Sequence, residues 1–160
     1  MNARLPLPKT AAAEDGLAWP GAWPGQDDLL AAIRGHHIGR HPLVGWAAEL
    51  GVVHTRLLDF PGMPLLRHRR ARLITAIDNW LAPRLPRPHS IAICHPESVG
   101  TLIDRIAATQ IRAWTRLMAQ PADHPEVHDA WCRLAELVET YTDLVTGLDN
   151  RSIYLPDAQQ

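Results

Sequence analysis

The chain is short of several things, and each shortage excludes a class of protein. Only Cys94 and Cys132 are cysteines among 160 residues, too few for a disulfide framework or a four-cysteine zinc centre. Net charge is −1, so no overall field draws the chain to nucleic acid or to an acidic membrane. No apolar run approaches the roughly 20 residues of a membrane-spanning helix. Met1 to Thr10 lacks the apolar core of a secretion signal, so a cytoplasmic protein with reduced thiols is expected. The nucleophile elbow, the P-loop and the dinucleotide-binding glycine pattern are missing, as are His-Glu-x-x-His and the Glu-x-x-His of di-iron bundles. Lysine is almost absent: Lys9 stands alone against fifteen arginines. Most cations are therefore planar two-pronged donors, better suited than lysine to partly buried carboxylates.

What is present is enough for one core. Hydrophobic residues make up 46% of the chain and charged residues 21%, ordinary proportions for a globular domain. A domain of this length buries about 68–70% of its unfolded surface.

Residues 1–26 read as a tail rich in Pro, Gly and Trp, with the tandem repeat AWPGAWPG from Ala18 to Gly25. Trp-Pro-Gly favours turns, and two exposed Trp are costly to hydrate. Trp19 and Trp23 either dock on the body of the protein or bind a partner.

From 27 to 150 the pattern is a helical bundle. A shorter helix is expected over Asp27 to Arg40, capped by Asp27 or Asp28. A second helix starts at Pro42, with Leu43, Trp46, Leu50, Val53 and Leu57 on one stripe, and ends at FPGMP. A third spans about Pro64 to Leu81, with Leu66, Leu73, Ile77 and Trp80 on its apolar side. APRLPRPHS (Ala82 to Ser90) reads as an extended, Pro-rich crossover, and Ile91 to Cys94 as an apolar linker lying on the bundle. The fourth helix is placed from Pro96 to about Met118. The fifth runs from Pro125 to about Leu148, with Val127, Trp131, Leu134, Val138, Tyr141, Val145 and Leu148 forming a continuous seam. No stretch alternates convincingly as a strand. The expected fold is all-α: an antiparallel bundle of four long helices and one shorter helix, followed by a C-terminal tail over 151–160.

Three His-Pro pairs, at His41, His95 and His124, each precede a helical stripe. Proline at the first helical position gives up an N–H that has no helical partner anyway, so these histidines read first as helix punctuation.

The stretch HPESVGTLIDRIA (His95 to Ala107) carries the sharper question. On a helix Glu97, Gly100 and Asp104 share a face, the acids about 10.5 Å apart along the axis. That face borders Val99, Ile103 and Ile106, so both carboxylates are expected to point inward, where they need partners. Arg69 lies four residues before Leu73, His54 four after Leu50 and His37 four after Ile33, which places all three on core-facing sides. A polar inter-helix layer of His37, His54, Arg69, Glu97 and Asp104 follows, with His95 and Gly100 adjoining. The layer has three readings: structural ion pairs, a pocket for a small polar ligand, or a divalent metal site built on His54, Glu97 and Asp104. A weaker metal-ligand spacing joins His124, His128 and Cys132. RHRRAR (Arg67 to Arg72) spreads its charges around a helix axis, which argues against a nucleic-acid face.

Three stretches, HHIGRHPLVGWAAEL (His36 to Leu50), RRARLITAIDNW (Arg69 to Trp80) and HPESVGTLIDRIA, resemble an uncharacterised family of small helical proteins common in actinobacteria, a domain of unknown function. The resemblance spans roughly residues 28–150. It implies the helical class and an actinobacterial, cytoplasmic source, and it carries no activity, cofactor or catalytic residue. The functional expectation is a non-enzymatic binding or interaction protein that self-associates or takes a protein partner, with no cofactor. The alternative is a metal- or small-ligand-dependent enzyme with its site inside the bundle.

Overall fold

The computed structural model describes residues 22–36 and 39–156. Five helices pack against one another: α1 (Gln26–Ile33), α2 (Pro42–Asp59), α3 (Pro64–Leu81), α4 (Val99–Ala119) and α5 (Pro125–Asp149). The fold is all-α, as the periodicity implies. α4 is the hub and touches the other four helices. Its face of Val99, Leu102, Ile103, Ile106 and Ala107 is fully buried. α4 runs antiparallel to its sequence neighbours α3 and α5.

α2, α3 and α5 begin where the Pro residues place them. His41 and His124 are the N-caps of α2 and α5, and each Nδ1 accepts a hydrogen bond from the backbone N–H two residues on, at 3.2 Å. Histidine here does the work of a Ser or Asp cap.

α1 is shorter than the expected 27–40. Gly35 takes φ 85°, and the Gly35 and His36 amides donate back to the Ala32 and Ala31 carbonyls, both at 2.9 Å. This left-handed closure satisfies the last carbonyls and ends the helix. The α1 cap is Gly25 rather than Asp27 or Asp28, which lie in the first turn.

The crossover also differs from the expected extended linker. Ala82–Arg84 first form one 3-10 turn. Ile93–Cys94 (β1) then pairs in parallel with Ile153–Tyr154 (β2), in the register Ile93 with Ile153 and Cys94 with Tyr154. Ile91 and Ile93 do not lie on the bundle; they are 89% and 73% exposed. Ile153 packs against the core and Leu155 is buried within it, so the segment after α5 ties the crossover to the bundle.

At the other end of the described chain, the Trp23 indole N–H donates to Asp149 Oδ1 at 2.9 Å, and the Tyr141 hydroxyl donates to the Pro24 carbonyl at 2.8 Å. Burial pushes the Tyr141 phenol well above its ordinary range, with the Asp28 charge adding to the effect. Trp23 therefore sits on α5, half-buried against the core. Trp19 lies outside the described residues.

Candidate functional site

α4 starts three residues later than Pro96 suggests. Ser98 is the N-cap, and its Oγ accepts from the Thr101 N–H at 3.1 Å. Serine is the stronger cap, and it takes the role from His95. The His95 ring folds over its own turn instead, with Nδ1 at 2.8 Å from the Glu97 carbonyl oxygen. Glu97 thus precedes the helix, so the two-turn relation between Glu97 and Asp104 does not hold. Glu97 is satisfied locally by Arg105, 2.7 Å away and half-exposed.

Gly100 is needed for a close helix crossing. A Cβ there would lie 2.5 Å from the Ile74 carbonyl oxygen and 2.8 Å from Asp78 Oδ1. The space glycine leaves is filled by α3 and is not open to a ligand. Asp78 also accepts from the Gly100 N–H at 2.8 Å, so α3 supplies a partner for one of the free amides at the start of α4.

One turn further on, the expected interior acid is in place. Asp104 is 1% exposed. His54 Nε2 lies 2.8 Å from its Oδ1. Arg70 donates from Nε to both carboxylate oxygens, at 2.9 and 3.0 Å, and from Nη2 to Oδ2 at 2.6 Å. Three helices thus converge on one carboxylate. Burial works to raise the Asp104 pKa, but the hydrogen bonds and charges of His54 and Arg70 outweigh it and hold the group below the ordinary carboxylate value. The same carboxylate raises the Arg70 guanidinium, against the opposing effect of burial.

The expected cation was Arg69, and the structure puts Arg70 in its place. Arg69 faces outward and pairs with Glu49 at 2.8 Å, both side chains well exposed. The sequence did hold the signal. On α3 the buried residues Leu66, Leu73 and Ile77 leave a gap in a stripe spaced 4, 3, 4, and Arg70 fills that gap. A cation inside an apolar stripe marks a buried acid nearby more sharply than one beside it.

Of the anticipated layer, His54 and Asp104 meet, while Arg69, His95, Glu97 and Gly100 lie elsewhere. His37 falls outside the described residues. Sequence reasoning also passed over Gln110. It is buried on α4 and donates to the Leu30 carbonyl of α1 at 3.0 Å.

The metal reading needs His54, Glu97 and Asp104 together, and Glu97 is engaged with Arg105 instead. Among the described residues, no group of three or more His, Cys, Asp or Glu side chains is placed to hold a metal ion. His128 and Cys132 are neighbours on α5, 3.5 Å apart, while the His124 ring caps the helix.

Beside the Asp104 cluster lies a cleft of about 530 Å³. Its lining joins buried His54 and half-buried Arg70, which make its floor, to the exposed Arg67 and Arg112 and the apolar Leu57, Leu58 and Ile111. A second cleft of about 450 Å³ shares Arg70 and Arg112 and adds Arg105, Arg133 and Glu136.

No helix among the described residues is long and apolar enough to cross a membrane. No curated protein matches the chain, and no solved structure matches it. The model of one family, described as protein of unknown function (DUF4254), matches residues 65–153. That stretch runs from the first turn of α3 into β2, and so takes in Arg70 and Asp104 but neither α2 nor His54. With more than half of its 160 residues matched, the chain belongs to the DUF4254 family of proteins of unknown function.

Proposed function

We propose that this protein is a non-enzymatic binding module of the actinobacterial cytoplasm, and that the cleft over His54 and Arg70 is its binding site. The observation that carries this reading is the pairing of a concave, partly apolar space with a rigid polar floor. The cleft's volume of about 530 Å³ lies within the usual range for small-ligand pockets. Its floor is preorganised, because Asp104 ties His54 and Arg70 to α4. The described lining supplies imidazole and guanidinium groups but no hydroxyl, thiol or carboxylate, and the His54 Nε2 is already engaged with Asp104, which favours binding over covalent chemistry.

The test is an NMR screen of small polar compounds of mixed charge, read at the His54 ring and the Ile111 amide. The reading predicts at least one compound that shifts both signals in the native protein and neither in Leu58→Trp, which obstructs the cleft. Compounds that shift only signals remote from α2 and α4, or act equally on the obstructed variant, would contradict it.

A second reading, self-association, is favoured by a separate observation. The α2–α3 turn and the C-terminal half of α4 lie at one end of the bundle, since Pro61 and Ile111 line the same cleft. Phe60, Leu65, Trp114 and Met118 are all exposed there, Leu65 by 77%. Several large apolar side chains exposed at one end of a bundle are a candidate contact surface. Light scattering should give a dimer mass for the native chain and a monomer mass for Leu65→Glu; a monomer mass for both would refute it.

A further inference from the structure

We infer that the cleft over His54 takes the dianionic phosphate of a small organic phosphate ester, held between Arg67 and Arg112, with the organic part on Leu57, Leu58 and Ile111. The inference rests on the binding-module reading and gives it a ligand class.

The fixed charge lining the cleft is of one sign. Three arginines line it and no acidic side chain does. Arg70 is spent: Nε and Nη2 are both committed to Asp104. Arg67 donates from Nη2 to the neutral Pro61 carbonyl at 3.0 Å, which leaves its charge uncompensated. Arg112 has no hydrogen bond or ion pair among the described residues. Two uncompensated guanidinium groups therefore border one concavity in a chain whose net charge is −1. The basicity is local, not a property of the whole surface.

Ligand charge and shape follow. A guanidinium fork matches carboxylate and phosphate alike. A monocarboxylate offsets one of the two charges, whereas a phosphate monoester carries about −1.5 to −2 at neutral pH and presents three acceptor oxygens. The space is too large for a bare anion, and Leu57, Leu58 and Ile111 add apolar lining. An ester with a hydrocarbon or ring portion meets both demands. The adjoining cleft is the weaker candidate for the same chemistry. It contains Glu136, and its Arg105 is already paired with Glu97.

Titration calorimetry on the full chain tests this with three probes: phenyl phosphate, phenyl sulfate of the same shape but one charge, and inorganic phosphate without the ring. Arg67→Gln and Arg112→Gln remove the proposed contacts. Both side chains are exposed, so both variants are expected to fold. Arg72→Gln is the control, since Arg72 lines a different face of α3. Phenyl phosphate should bind one site at least tenfold more tightly than either other probe. Arg67→Gln and Arg112→Gln should each weaken it by about tenfold to a hundredfold, the usual loss of a charge-assisted hydrogen bond, and Arg72→Gln should leave it unchanged.

Phenyl sulfate binding as tightly as phenyl phosphate would overturn the dianion. So would an Arg72→Gln loss equal to that of Arg112→Gln, which would mean diffuse attraction. If none of the probes binds while the NMR screen still finds a compound at His54 and Ile111, the ligand class is wrong and the cleft stands. If neither experiment finds binding, both readings fail.

Discussion

Replacing Gly100 with alanine sets two effects of opposite sign against each other. Intrinsic helix propensity favours alanine by up to about 1 kcal/mol, and the gain is smaller at the second residue of α4, where the helix is only beginning. Against it stands the new Cβ, 2.5 Å from the Ile74 carbonyl oxygen and 2.8 Å from Asp78 Oδ1. The carbonyl belongs to the backbone of α3 and cannot swing aside, so the α3–α4 crossing must open. Overpacking of this kind costs about 1–3 kcal/mol, and weakening the Asp78 bond to the Gly100 N–H adds about 1 kcal/mol. Gly100→Ala is therefore expected to destabilise by about 2–3 kcal/mol, a fall in Tm of roughly 5–10 °C for a chain of this size. Gly45→Ala is the internal control. Gly45 lies inside α2, and nothing is within 4 Å of the Cβ it would gain, so propensity acts alone and Tm should rise by roughly 2–4 °C. Thermal melting followed by circular dichroism reads both. A rise in both variants, or no change for Gly100→Ala, would refute the close crossing on which the placement of α4 depends.

Two further outcomes follow from the titrating groups. Asp104→Asn should cost about 2–3 kcal/mol at neutral pH. That is less than the full penalty for breaking a buried pair, because Arg70 is 43% exposed and can turn to water. Asp104 has a lowered pKa in the folded state, so its contribution is complete above the unfolded value of about 3.9 and is lost as pH falls through the lower folded value. Urea melts should therefore show the gap between native protein and variant closing in acid. Burial lowers the His41 imidazole, so the neutral cap stabilises fully above about pH 6.5 and progressively less as pH falls below it. His41→Asn keeps a side-chain acceptor for the Leu43 N–H and should flatten that part of the stability–pH curve; an unchanged slope would show that His41 does not cause it.

The fold was legible where apolar spacing is long and its punctuation unambiguous. α2, α3 and α5 begin at Pro42, Pro64 and Pro125 as read, and Leu43, Leu50 and Val53 on one helix and Leu134, Val138 and Tyr141 on another form the buried seams. Local competition decided the misses. Ser98 outbids His95 for the α4 cap, which moves Glu97 off the helix, and Gly35 closes α1 before His37. The β1–β2 pair could not be read from either segment, since two residues carry no alternation and the pairing depends on backbone groups sixty positions apart. In the polar cluster, His54 and Asp104 were visible because each sits in phase with buried neighbours. Arg69, four residues before Leu73, shares its side of α3 by spacing, yet Arg70 lies closer to the line of Leu66, Leu73 and Ile77 and is the one that turns inward.

An interior carboxylate, Asp104, is held ionised by the Arg70 guanidinium and the His54 imidazole of neighbouring helices. The most direct measurement is the NMR titration of the Asp104 carboxyl carbon in the native protein and in Arg70→Gln. The account predicts a native midpoint below about 3.9 that moves upward when the Arg70 hydrogen bonds are removed. A native midpoint at or above that value, or one unmoved by Arg70→Gln, would contradict it.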